Sequence, residues 1–256
     1  MEKAIYISDI QQLKKIKDFD FERLYFGTEF CDHLIPPVET VRKILLYASD
    51  ESLRFSFVSP ICSDSGIERL GSIFNILPSG CEVIFNDWGV LYLLNKYFRN
   101  KRISLSLGRA LVGQYKDPRL VTVKNSLRKT FFKKCNLNNP DFQDFLKNQN
   151  ITRVELDNVY QGYNFKAMHG LKASLYYPYI FIAATTKCLF KIEPMLRSCK
   201  SGCKTGSMMI ARLKPAPDWI ITRGNAEFYL NNSYPAFLRD KSLGFDREVF
   251  MPSPGY

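Results

Sequence analysis

The stretch that decides the fold is Cys81-Glu-Val-Ile-Phe-Asn-Asp-Trp-Gly-Val-Leu-Tyr-Leu-Leu-Asn-Lys-Tyr-Phe-Arg-Asn-Lys-Arg-Ile-Ser-Leu-Ser-Leu-Gly-Arg109. It opens with a short apolar run that stops at Asn86-Asp87. A helical pattern follows over 90–97, and a second apolar run stops at Gly108-Arg109. Short apolar runs separated by one helix predict two parallel strands joined by a crossover helix.

The same unit recurs on both sides of this stretch. Further strands are predicted at 24–26, 53–58, 151–157 and 171–182, and helices at 37–47 and 67–77. Later in the chain, the runs 218–223 and 226–230 are joined by Gly224-Asn225, which is a turn signal. The chain has 256 residues and 46% hydrophobic composition, which suits one large core. We therefore predict an α/β, TIM-barrel-like (β/α) barrel, regular or else incomplete and distorted, in a single domain covering 1–256.

Polar residues follow the predicted strands. In such a barrel the chemistry lies at the carboxyl ends of the strands. We predict catalytic roles for Arg109, Asp157 and Glu155, and substrate binding by Asn86, Asp87, Arg109 and Asn158. Arg109 would hold a carboxylate of the substrate. A non-catalytic interpretation fits the same carboxylates: they cap the helices that follow the strands, or they pair with Arg109 and Arg153.

Three of the seven cysteines, Cys188, Cys199 and Cys203, lie within 16 residues. Lysines and arginines surround them, and nearby positive charge favours the thiolate that binds metal. A site rich in sulfur suits zinc or an iron–sulfur cluster. Cys31 follows a predicted strand and would join them at the mouth of the barrel as a fourth ligand.

Other sites fit the sequence less well. The Cys-x3-Cys-x2-Cys run of radical enzymes fails at Gly206, and no Cys-x2-Cys pair occurs. His33 or His169 would complete a mixed zinc site. A hydrolase has only these two histidines to use, and neither a nucleophile elbow nor a nucleotide-binding glycine motif is present. Cys81 and Cys135 are predicted to be ordinary core residues, and Cys62 is left open.

The composition limits location and partners. No signal peptide and no apolar run of about 18 residues is found, which predicts a cytoplasmic protein without a transmembrane segment. The net charge of +11 favours an anionic partner such as nucleic acid, a membrane surface or an acidic protein. An inert basic surface explains this charge equally well.

Several of these motifs together resemble the collagenase-like peptidase family (peptidase family U thirty-two), and most closely its short UbiV-like members. The resemblance is carried by Leu24-Tyr-Phe-Gly-Thr-Glu-Phe-Cys31, Asn86-Asp-Trp-Gly-Val-Leu91, Ser104-Leu-Ser-Leu-Gly-Arg109, Val154-Glu-Leu-Asp-Asn158 and the cluster of Cys188, Cys199 and Cys203. These segments span most of the chain. Each is weak alone, but their order and spacing are fairly specific.

The resemblance implies a [4Fe-4S] cluster ligated by Cys31, Cys188, Cys199 and Cys203. It also implies an oxygen-independent hydroxylase, or a subunit of one, that acts on an aromatic ring or an RNA base with prephenate as the oxygen donor. A non-catalytic subunit beside a UbiU-like partner and a peptidase are the alternatives. The polar stretch 116–149 and the +11 charge depart from the family pattern. They weaken a role in ubiquinone synthesis and leave a small aromatic molecule or RNA as substrate.

Overall fold

A computed structural model describes residues 1–185, Cys188, Cys199, Cys203, 208–212 and 219–254. Its strands are β1 (Glu2–Ile7), β2 (Arg23–Gly27), β3 (Arg54–Ser59), β4 (Glu82–Phe85), β5 (Ser104–Leu107), β6 (Ile151–Asp157), β7 (Lys172–Tyr177), β8 (Tyr179–Ala184), β9 (Met208–Arg212), β10 (Trp219–Arg223), β11 (Ala226–Leu230) and β12 (Phe245–Phe250). Eight of them form a closed barrel in the order β1-β12-β7-β6-β5-β4-β3-β2. Every pairing within the barrel is parallel. The predicted α/β barrel is confirmed, in its closed form.

The described part of the chain contains six α-helices: α1 (Leu13–Ile16), α2 (Val38–Asp50), α3 (Asp64–Ile76), α4 (Trp88–Tyr97), α5 (Ser126–Phe132) and α6 (Pro140–Asn148). Helices α2, α3 and α4 bury one apolar face each against the outside of the barrel, and this layer forms the main core. Asp87 caps α4 by accepting a hydrogen bond of 2.7 Å from the Gly89 amide. Within the described ranges no helix combines the length and apolar character needed to cross a bilayer.

The interior of the barrel contains an apolar layer between two charged ends. Tyr6, Tyr25, Val58, Ile84, Tyr176, Val249 and Met251 belong to one buried cluster inside the barrel. At the amino ends of the strands, ion pairs connect Glu2, Arg23, Glu82, Arg153 and Arg247. Because alternate residues of a strand point to the same face, these side chains share the interior with the apolar layer above them.

A second sheet is inserted between β7 and β12. Its strands run antiparallel in the order β8-β11-β10-β9. Phe30, which follows β2, stacks on Phe181 of β8 with ring centroids 4.1 Å apart, and the edge of Phe228 on β11 completes the contact. The second sheet therefore packs on residues at the carboxyl ends of the barrel strands.

One element prediction needs correction. The predicted strand 171–182 is two strands, because the chain turns at Pro178 after a cis peptide bond and passes from the barrel into the second sheet. The runs on either side of the predicted turn at Gly224-Asn225 are strands, and they pair as an antiparallel hairpin outside the barrel. The eighth barrel strand, Phe245–Phe250, escaped prediction because charged residues interrupt its apolar pattern.

Candidate cysteine site and barrel mouth

Two of the four predicted cysteine ligands, Cys31 and Cys203, pack together although they are far apart in sequence. Cys31 follows β2 and packs with Leu34 and Cys203 in a small cluster, in which Cys203 is almost fully buried. Charge interactions extend the group: Cys31 is coupled to Cys199 and Cys203, and Cys203 to Cys188 and Cys199. None of the seven cysteines, all of which are described, forms a disulfide.

Two thiols of this group, those of Cys31 and Cys203, have pKa values that are raised toward the protonated form. Burial raises the pKa of Cys31 to about 12, and the nearby charges of Asp32, Cys203 and Cys199 act in the same direction. Burial, followed by the charges of Cys188 and Cys199, also raises the pKa of Cys203. Several thiolates would repel one another at this position, so a bound cation is required to hold them all deprotonated.

A zinc ion and an iron–sulfur cluster require different distances between their sulfur ligands. A tetrahedral zinc ion with Zn–S bonds of about 2.3 Å needs sulfurs about 3.8 Å apart. Among the described residues, no group of three or more Cys, His, Asp or Glu side chains is arranged to hold a metal ion. A four-iron cluster binds each thiolate to a different iron, so its sulfurs stand further apart. A soft donor set made entirely of sulfur suits zinc or an iron–sulfur cluster.

Apart from His33, whose backbone amide donates a hydrogen bond to the Cys31 sulfur, the remaining candidate ligands lie away from this group. His33 and His169 are exposed. Cys81 and Cys135 are buried in the main core, as predicted. Cys62 is partly buried, and the charges that act on its thiol come from Asp87, Asp32 and Arg69 rather than from another cysteine.

A buried ion network lies at the mouth of the barrel, where β5 and β6 end. Arg109 donates to both oxygens of Glu29, over 2.8 and 2.6 Å, and to Asp157 Oδ1 over 2.7 Å. The Nζ atom of Lys116 lies 2.7 Å from Asp157 Oδ2 and donates to the Arg109 carbonyl. Arg109, Glu29 and Asp157 have no exposed side-chain surface. Two positive and two negative groups therefore balance in a dry environment.

The two carboxyl groups of this network respond differently to burial. Burial raises the pKa of Glu29 despite the neighbouring Arg109. Burial also acts to raise the pKa of Asp157, but Lys116 and Arg109 together outweigh it and hold that pKa below its usual range. Asp157 additionally accepts a hydrogen bond of 3.0 Å from the Phe181 amide, which ties β6 to the second sheet.

The predicted site residues fall into three places. Arg109 and Asp157 meet at the mouth, where each has the other as a partner. Asn86 is also buried there and links the barrel loops, donating to the Ser59 carbonyl and accepting from the Ala110 amide. Asp87 caps α4 and also accepts from the Cys62 amide. Asp87 and Asp157 thus make the contacts that the non-catalytic interpretation predicted, and their catalytic or binding roles stay predictions.

Glu155 occupies the middle of the barrel, below the mouth. It is fully buried and accepts hydrogen bonds from Ser106, Ser174 and Tyr25, all uncharged groups. Burial raises its pKa from 4.5 to about 7, and the more distant Arg247 only partly opposes this. Glu155 is therefore a fully buried carboxyl group whose pKa lies close to neutrality.

Asn158 lines a cavity at the rim that the sequence did not reveal. Its amide nitrogen donates to the Ser233 carbonyl over 2.9 Å, while its buried Oδ1 atom has no hydrogen-bond partner in the described chain. The cavity measures about 260 Å³ and is lined by Lys133, Asn158, Val159, Tyr160, Gln161, Gly162, Tyr163, Asn231, Ser233, Tyr234, Pro235, Ala236 and Phe237. Residues 158–163 and residues within 231–237, together with Lys133, form this cavity. Because these segments are distant in sequence, no local motif predicts the cavity. The sequence also did not mark Lys116 as part of the buried network at the mouth, because it is a single lysine in a polar loop.

Searches against protein-family models, curated proteins and solved structures find no match to this chain.

Proposed function

We propose that this chain is an iron–sulfur protein in which Cys31, Cys188, Cys199 and Cys203 hold a [4Fe-4S] cluster. The observation that carries the proposal is the packing of Cys31 against Cys203, together with the charge interactions that Cys199 makes with both and that Cys188 makes with Cys203. The other three cysteines lie elsewhere. A resident cluster would supply electron transfer or bind a substrate atom, as such clusters do.

The protein's own contribution would be to place and shield the cluster. Cys31 is attached to the rigid end of β2, while Leu34 and the buried face of Cys203 keep water away from one side. Low exposure strengthens electrostatic interactions within such a site. The lysines and arginines near Cys188 and Cys203 in sequence would offset the negative charge of four thiolates.

For the reaction, we propose oxygen-independent hydroxylation of an aromatic ring or an RNA base, with prephenate as the oxygen donor. The support is the resemblance of the motifs and the cavity at Asn158. A space of about 260 Å³ with three tyrosines and one phenylalanine in its wall suits a flat ring. The unpartnered Oδ1 atom of Asn158 would accept a hydrogen bond from a hydroxyl or amino group of that ring.

A second candidate function is a non-catalytic subunit that carries the cluster beside a UbiU-like partner. The observation that favours it is the burial of the predicted catalytic groups. Arg109, Asp157 and Glu155 have no exposed surface, and the first two already pair with each other. A group in that state contacts a substrate only if the mouth opens or if the chemistry takes place on another chain.

The first experiment is to measure iron and acid-labile sulfide, with a visible spectrum, on chain purified without oxygen. About four of each per chain are expected. Cys31→Ser and Cys199→Ser should lose most of both. Cys62→Ser is the matched control, because it removes a partly buried thiol outside the coupled group, and it should keep the cluster. Zinc in place of iron, no metal after anaerobic reconstitution, or equal loss in Cys62→Ser would refute the proposal.

A second experiment separates the two candidate functions. Chain with its cluster is incubated anaerobically with prephenate and a set of phenols or short RNAs, and hydroxylated product is measured by mass spectrometry. Product formed by the chain alone establishes an enzyme, and Asn158→Ala should then raise KM more than it lowers kcat. Product that forms only after a co-purifying protein is added establishes the non-catalytic subunit.

A further inference from the structure

The loop between β5 and β6 presents an unusual surface around the short helix α5. The base of this loop is fixed by a bridge between Gln114 and Cys135 and by a hydrogen bond of 3.1 Å from the Asn136 amide to the Gly113 carbonyl. We call the surface above this base the basic platform. It consists of Val121, Lys124, Leu127, Arg128, Lys129 and Phe131.

The charge of the platform is uncompensated. Six basic residues and no acidic residue lie between Asp117 and Asp141, against a net charge of +11 for the whole chain. Arg119 pairs with Asp117. Lys124, Arg128 and Lys129 are exposed, and none of them forms an ion pair with any acid of the described chain. A local excess of this kind attracts an anionic surface.

The apolar residues of the platform point into solvent. Leu127 is 81% exposed, Phe131 52% and Val121 44%. Leu127 and Phe131 are four residues apart on α5, so they lie on one face of the helix, and the helix buries none of its residues. Their apolar surface therefore contributes little to the core and is available to a partner.

We propose that the basic platform docks on an anionic lipid membrane surface. Aliphatic and aromatic side chains surrounded by lysine and arginine are what an interfacial segment uses, because the apolar groups enter the headgroup layer while the cations meet lipid phosphates. Nucleic acid would use cations with aromatic rings that stack on bases. Leu127, the most exposed apolar residue of the platform, and Val121 are aliphatic and cannot stack, and the Phe131 ring already packs against Tyr115 and Phe132.

The position of the platform gives such docking a consequence. The loop leaves the barrel at the carboxyl end of β5, on the side of the mouth, and Lys133 just after α5 lines the cavity at Asn158. Docking through α5 would therefore hold the cavity close to the membrane surface, where an apolar aromatic molecule concentrates. The docking itself does not depend on the iron–sulfur proposal.

The test is sedimentation of the full chain with phosphatidylcholine vesicles, with and without added phosphatidylglycerol. Binding only to the anionic vesicles is expected, and it should weaken as salt rises. The triple variant K124Q/R128Q/K129Q should bind about a hundredfold more weakly. Leu127→Ser should cost about tenfold. Because all four side chains are exposed, these variants should fold normally.

Matched controls separate the platform from bulk charge and bulk hydrophobicity. K14Q/K15Q/K17Q removes the same charge from another exposed cluster, and Leu46→Ser removes an exposed leucine, 65% accessible, from α2. Both should bind like the unchanged chain. The proposal is overturned if the control triple loses as much binding as the platform triple, or if anionic vesicles do not bind at all. Displacement by short single-stranded RNA, with Leu127→Ser having no effect, would overturn it in favour of a nucleic-acid surface.

Discussion

The two ends of the barrel interior both carry buried charges, but they differ in how many partners each charge has. At the amino ends of the strands, Glu2 lies within 2.7 Å of Arg23, 3.1 Å of Arg54 and 2.6 Å of Arg247. At the mouth, Glu29 pairs with Arg109 alone among the described side chains. The first end is a mesh in which Glu2 and Glu82 each have three arginine partners, whereas at the second end Glu29 has only Arg109 among the described side chains.

The two ends also differ in access to water. Side chains in the mesh keep between 3 and 12% of their surface exposed, apart from the more open Arg54 and Asp246. Those of Arg109, Glu29 and Asp157 keep none, because the second sheet packs nearby. A charge that cannot be rehydrated costs more when its partner is lost. Burial of charge alone therefore does not identify a functional site in this barrel, since both ends have it.

The largest expected effect comes from removing the single arginine at the mouth. Arg109→Ala should lower the free energy of unfolding by about 3–5 kcal/mol, because it leaves Glu29 without a cation and Asp157 with only Lys116. Urea unfolding followed by circular dichroism measures this. Arg109→Lys keeps the charge but cannot reach both carboxylates in the same way, so it should lose less.

An exposed arginine on the outer surface is the control for this change. Arg42 also has an acidic partner, Glu39 at 3.4 Å, but its side chain is 53% exposed. Arg42→Ala should cost well under about 1 kcal/mol. Similar losses for Arg42→Ala and Arg109→Ala would remove the distinction between surface pairs and the mouth network.

A somewhat smaller effect is expected between the two ends, at Glu155. Its pKa in the folded protein is raised to about 7 by burial, whereas the unfolded chain has the ordinary value of 4.5. The folded state therefore binds the proton more tightly, and the stability from this group is complete below about pH 4.5 and declines until about pH 7. The span of this decline is about 3 kcal/mol.

Glu155→Gln tests that pH dependence directly. The amide imitates the protonated acid, so the variant should be more stable than the unchanged chain at pH 8 and should show a flatter stability profile between pH 5 and pH 8. Urea midpoints across this range measure both. An unchanged slope would mean that Glu155 is charged at neutral pH, compensated by Arg247 and Arg153.

The smallest of the three effects is expected in the mesh. Arg23→Ala removes a contact of 2.7 Å to Glu2, but Glu2 keeps Arg54 and Arg247, and Glu82 keeps Arg247 at 2.6 Å. The loss should be about 2 kcal/mol, below that of Arg109→Ala. A loss equal to that of Arg109→Ala would show that sharing of partners does not protect this end.

Local pattern predicted much of the fold. The unit from Cys81 to Arg109 contains a strand, a helix and a strand as expected, since alternation of apolar runs reflects forces that act along short stretches of chain. The position of the second sheet relative to the barrel could not be predicted from local pattern. The turn signal at Gly224-Asn225 predicts the hairpin of β10 and β11, but which other strands flank this hairpin depends on contacts with distant parts of the chain.

By itself, the sequence determined the barrel class, the group of four cysteines as a candidate and the charge of the basic platform, because these follow from residue type and spacing. Only the tertiary structure decided that Arg109 pairs with Glu29 and Asp157, that Glu155 sits among uncharged donors, and that a cavity opens beside Asn158. Partners and burial arise when residues that are far apart in sequence come into contact: Arg109 is 80 positions from Glu29 and 48 from Asp157. One sequence pattern is compatible with many such contacts, and the energy of each contact is set only in the folded chain.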